Sequence, residues 1–78
     1  MTRAQLYELL SSRGWTARAQ VRGYPNTHRG DNVYILERDE VGWYIGYLER
    51  GEVSVLRRCG DEGTAVNALL EYVKGYYS

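Results

Sequence analysis

The sequence contains no phenylalanine, and only one proline, one cysteine, one histidine and one methionine, in 78 residues. One cysteine cannot close an intrachain disulfide, so folding does not depend on an oxidising compartment. There is no cysteine pair, histidine pair or oxygen-rich calcium loop, and no glycine-rich phosphate motif, so neither a metal nor a cofactor is expected. His28 lies near Asp31 in a Gly/Pro/Asn-containing stretch, with no serine or cysteine nucleophile at a recognisable spacing. Acid–base chemistry needs partners within hydrogen-bond reach, so His28 reads as a solvated side chain and the chain as a non-enzyme. Cys59 precedes a helix signal but reads as a small buried apolar residue rather than a reactive thiolate. Lysine plus arginine equals aspartate plus glutamate, for a net charge of +0. Affinity for nucleic acid rests on excess positive charge, so nucleic acid is not expected as the dominant partner. No apolar run approaches the roughly 20 residues of a membrane span. Arg3 and Glu8 interrupt the only N-terminal candidate for a signal region. One cytoplasmic domain over residues 1–78 is expected.

Eight tyrosines and two tryptophans supply all the aromatic surface. Both residue types join apolar area to a polar tip, which suits interfaces as well as cores. Thr2 with Gln5 predicts a capping box, and Leu6, Leu9 and Leu10 then share a helical face. Alternation of Trp15, Ala17, Ala19 and Val21 with polar residues predicts a strand over residues 15–22. Residues 23–31 read as a loop. Strands follow at 32–38, 43–48 and 53–58, joined by a turn at 39–42 and a two-residue turn at Arg50-Gly51. Asp61 caps a last helix whose apolar face carries Val66, Leu69, Leu70, Val73 and Tyr76 or Tyr77. The expected fold is α+β in the order α-β-β-β-β-α, an antiparallel four-stranded meander with both helices packed on one face.

The two turns set a register in which Leu48 faces Val53, Gly46 faces Val55 and Ile35, Val33 faces Leu48, and Tyr44 faces Arg57. One sheet face then carries Val33, Ile35, Gly46, Leu48, Val53 and Val55. The other carries Tyr34, Leu36, Arg38, Trp43, Ile45, Tyr47, Leu56 and Arg58. Both faces are apolar, more than two helices can cover. The helices are expected on the aliphatic face, where Gly46 permits close approach, with the Tyr/Trp/Arg face open or covered only in part and available to a partner. The alternative is that the aromatics are the core and the valines half-exposed.

The hairpin also resembles a known family. Trp43, Ile45, Tyr47 and Glu49-Arg50-Gly51, followed by Glu62 and Ala65 at the start of the last helix, resemble the small bacterial immunity proteins of polymorphic-toxin and contact-dependent growth inhibition systems. Gly46 stands where that pattern has its first aromatic residue, and Cys59 and Asp61 stand where it has Phe and Ser. The similarity covers roughly residues 33–73. It implies a protein that binds and neutralises a cognate bacterial toxin domain, typically a nuclease, by stoichiometric occlusion. Tyr34, Arg38, Trp43 and Tyr47 are then the expected anchors, with Asp31, Asp39 and Glu40 as charge contacts. Two other readings stay open: a small nucleic-acid-binding domain using an aromatic and arginine sheet face, and a homodimeric interaction module.

Overall fold

A computed structural model of the chain describes residues 1–25 and 31–78; His28 lies outside them. Helix α1 (Arg3–Ser12) begins with the expected capping box, Thr2 accepting from the Gln5 N–H while the Gln5 side chain accepts from the Thr2 N–H. Leu6 and Leu10 are its buried residues. A 3₁₀ turn (Thr16–Arg18) leads into β1 (Ala19–Val21), followed by β2 (Val33–Arg38), β3 (Trp43–Glu49), β4 (Glu52–Cys59) and α2 (Glu62–Tyr77). Asp61 caps α2 by accepting from the Thr64 N–H at 2.7 Å.

The four strands form one sheet in the order β1-β2-β3-β4. The sheet is mixed. β1 runs parallel to β2, with Ala19 beside Tyr34 and Val21 beside Leu36, whereas β2–β3 and β3–β4 are antiparallel. This corrects the expected all-antiparallel meander. That expectation extended the short-turn rule to a connection that is not short. Residues 22–32 approach the dozen or so that a parallel crossover requires, far beyond a tight hairpin. The first strand is also shorter than its alternation suggests. Trp15 precedes the 3₁₀ turn, and Ala and Arg are weak strand formers, so only residues 19–21 enter the sheet.

The register is as expected through most of the sheet: Val33 pairs with Leu48, Ile35 with Gly46, Gly46 with Val55 and Leu48 with Val53. It shifts between Ile45 and Gly46, where β4 carries an extra residue. Leu56 is the bulged residue, so Arg57 lies beside Ile45 and Arg58, not Arg57, beside Tyr44.

One buried cluster joins Leu6 and Leu10 of α1 and Ala65, Val66, Ala68, Leu69 and Val73 of α2 to Ala19, Val21, Leu36 and Ile45 of the sheet. Tyr34 and Trp43 pack against it. α2 lies along β2, β3 and β4, while α1 touches β1 and α2. The face bearing Leu36 and Ile45 therefore belongs to the core, together with residues of both helices. This is the alternative in which the aromatics join the core, not the expectation of helices on the aliphatic face. Val33 and Ile35 of the aliphatic face are buried outside this cluster. Area favours that arrangement: aromatic rings set around Leu36 and Ile45 bury more surface per residue than valines do.

Gly46 serves the opposite face. A Cβ there would stand 2.8 Å from Val53 Cγ1 and 3.0 Å from Ile35 Cγ1. Its missing side chain makes room for those neighbours and not for a helix. Val53 is half-exposed and can turn away, but Ile35 is buried. Gly46→Val is therefore expected to cost about 1–3 kcal/mol by overpacking, and Gly46→Ala less, as read from urea unfolding midpoints.

Candidate interaction surface

The seven residues singled out from the sequence do not form one site. Arg38 pairs with Trp43, and Tyr34 with Tyr47, four residues along the same two strands. The two pairs are about 13 Å apart at strand spacing.

At the Trp43 end, two guanidinium groups approach the indole, Arg3 at 5.3 Å and Arg38 at 5.6 Å from the ring. Arg3 also pairs with Glu62 and donates to the Arg22 carbonyl, tying α1 to α2 and β1. Asp39 is heavily engaged. Its carboxylate accepts from Arg58 twice at 2.8 Å and from the Val41 and Gly42 N–H groups at 3.0 and 3.1 Å, which closes the β2–β3 turn. Arg58 in turn lies over Tyr44, 5.2 Å from the ring centre, and Arg22 pairs with Glu37 nearby. The paired hydrogen bonds from Arg58 hold the Asp39 carboxyl well below the usual carboxylate range, aided by the turn N–H groups and opposed by burial. Glu40 is exposed at the tip of this turn, beside the 79% exposed Val41.

A carboxyl lowered on folding contributes stability that is complete above its unfolded value, near 3.9, and is lost as pH falls through the folded one. The wild-type urea midpoint is thus expected to fall more steeply below about pH 4 than that of Asp39→Asn. The difference in slope is small because the pair is solvent-screened, and it is confined to the acid range, where the contribution of the ionised Asp39 is lost.

At the other end the rings form a belt. Tyr34 stacks on Tyr72 of α2 at 5.5 Å and packs against Tyr47 at 5.1 Å. The Tyr47 hydroxyl donates to Asn32 Oδ1 at 2.9 Å. Burial pushes the Tyr47 phenol up, with Tyr34 and Glu49 adding to the shift and Arg18 opposing it. Trp15 and Tyr77 stack almost parallel, 5.3 Å apart with 9° between planes, and Tyr76 meets Tyr77 edge-on at 5.0 Å. Arg13 lies 5.2 Å from the Trp15 ring and Arg18 5.2 Å from Tyr76. Arg18 also donates to the Asp31 carbonyl, which brings exposed Asp31 to the border of the belt. Tyr76 and Tyr77 are 47% and 39% exposed, so the outer rings face solvent.

The geometry thus keeps Tyr34, Tyr47 and Asp31 together and sets Arg38, Asp39, Glu40 and Trp43 apart from them. It adds Trp15, Arg18, Tyr76 and Tyr77, expected from the sequence in a strand core, on a wet strand face or on a helix core face, together with Arg13 and Tyr72, to which the sequence pattern assigns no place. A signal was present. Tyr72 and Tyr76 are four residues apart, hence on one helix face, and the final Tyr-Tyr pair outlasts the aliphatic stripe that ends at Val73.

Cys59 is half-buried against the core cluster, beside Trp43 in the sheet, as a small apolar residue would be. Among the described residues there is no pocket, and no group of three acidic, His or Cys side chains that could hold a metal ion. No helix among them is long and apolar enough to cross a membrane. No protein-family model, curated protein or solved structure matches the chain.

Proposed function

We propose that this protein is a cytoplasmic immunity protein that binds a cognate bacterial toxin domain, a nuclease in the first instance, and neutralises it by one-to-one occlusion. The observation that carries the proposal is the belt of stacked rings capped by Arg13 and Arg18. Trp, Tyr and Arg are the residues that dominate binding energy at protein interfaces. Here they stand stacked before any partner arrives, which lowers the ordering cost of association. Asp31 and Glu49 border the belt and supply the negative charge that a basic substrate groove would meet. In this reading both helices sit on the Leu36–Ile45 side of the sheet and the belt runs along the end of that layer, formed by α2 and the chain entering β1. Trp43, Arg38 and Glu40 form a separate surface at the far end.

The hairpin's resemblance to toxin antidotes supplies the biological class, and the belt supplies the contact chemistry. The test is affinity capture from the native host followed by a titration. A single dominant partner should be recovered, and its enzymatic activity should fall to zero at one equivalent of this protein. A captured partner whose activity survives an excess would refute neutralisation.

The belt has the same composition as a base-stacking platform, which favours nucleic-acid binding as a second reading. Net neutrality weighs against it. Absence of a gel shift with single-stranded RNA or DNA at low salt would remove that reading.

A further inference from the structure

β4 ends the sheet on one side, and every residue from Glu52 to Arg58 is exposed. Val53 is 47%, Val55 50% and Leu56 42% exposed. Edge strands are ordinarily blunted by lysine, proline or inward charge, and Val53-Ser54-Val55-Leu56 has none of these. The two-residue turn makes Glu49 and Glu52 the first hydrogen-bonded pair of the hairpin, so alternation leaves the N–H and C=O of Val53 and Val55 pointing away from β3. The bulge at Leu56 ends this run.

We infer that this edge pairs antiparallel with the same edge of a second copy, with Ser54 on the two-fold axis, joining two four-stranded sheets into one. Self-pairing about Ser54 sets Val53 opposite the second copy's Val55, and the reverse, so the outward backbone groups of both residues satisfy one another. Charge selects a second copy as the occupant. Neither Glu52 nor Arg57 makes an ion pair among the described residues. The two share a sheet face, because their β3 partners, Glu49 and Ile45, do. An antiparallel pair brings Glu52 of each copy to the Leu56–Arg57 end of the other, twice by symmetry. A parallel pair would put like charges side by side. Val53 and Val55 also continue the aliphatic face of Val33, Ile35 and Leu48 across the junction.

Sedimentation velocity from about 1 to about 300 µM tests this. The wild type should sediment as a monomer–dimer equilibrium. Glu52→Lys and Arg57→Glu should each weaken the dimer about tenfold, and the double reversal should recover to within about threefold of wild type. Val55→Pro removes an outward donor without touching the β3–β4 ladder, and should be monomeric with an unchanged circular dichroism spectrum. A wild type that is monomeric throughout overturns the inference. So does a dimer that Glu52→Lys and Val55→Pro leave intact, or a double reversal no tighter than the single variants.

Discussion

Ile45→Ala is expected to lower the unfolding free energy by about 3 kcal/mol, and Val55→Ala by less than about 0.5 kcal/mol, in urea titrations analysed with a common slope. The two residues come from adjacent strands of the same hairpin but lie on opposite sides of the sheet. Ile45 is wholly buried in the cluster that α1 and α2 share with the sheet. Its truncation leaves a cavity among Leu36, Leu69 and their neighbours that close packing cannot readily fill. Val55 is 50% exposed on the edge strand and loses little contact. A domain of this length has on the order of 5–10 kcal/mol of stability, so the first change removes a large share of it. Equal costs at the two positions would mean that both faces are covered alike.

The second large effect concerns binding. Tyr77→Ala is expected to weaken the captured partner's affinity at least thirtyfold, equivalent to about 2 kcal/mol, while lowering stability by less than about 1 kcal/mol. Tyr77 stands in the last turn of α2, where helix ends fray and contribute little to the fold. Its ring is stacked on Trp15 and touches Tyr76, so removing it opens the centre of the belt. Isothermal titration gives the first number and urea unfolding the second. Lost stability without lost affinity would make the stack a structural cap on α2 and nothing more.

The α+β class, both helix caps and the antiparallel register from β2 to Leu56 were legible in the sequence, because each rests on local chemistry. Thr2 with Gln5 and Asp61 with Thr64 are hydrogen-bonding instructions a few residues long. Arg50-Gly51 fixes the hairpin, with both residues at positive φ, 54° and 77°. The parallel placement of β1 was not legible. It depends on a connection whose path nothing local encodes, and three paired residues leave almost no periodicity to read. The choice of core face was not legible either, for another reason. Binary pattern could not choose between two apolar faces, and the choice falls to packing area summed over both helices. Of the candidate site, Tyr34 and Tyr47 were legible as cross-strand neighbours. Trp15 and Tyr77 meet only through tertiary structure, from opposite ends of the chain.

The two tryptophans fall one at each end of the molecule, and this allows a direct measurement. With Trp43→Phe, Trp15 alone reports on the belt; with Trp15→Phe, Trp43 alone reports on the far end, where its ring is met by Arg3 and Arg38. Acrylamide quenching is measured for each variant, free and saturated with the captured partner. Contact through the belt predicts that Trp15 becomes strongly shielded while Trp43 quenches as before. Shielding of Trp43, with Trp15 as accessible in the complex as in the free protein, would contradict it.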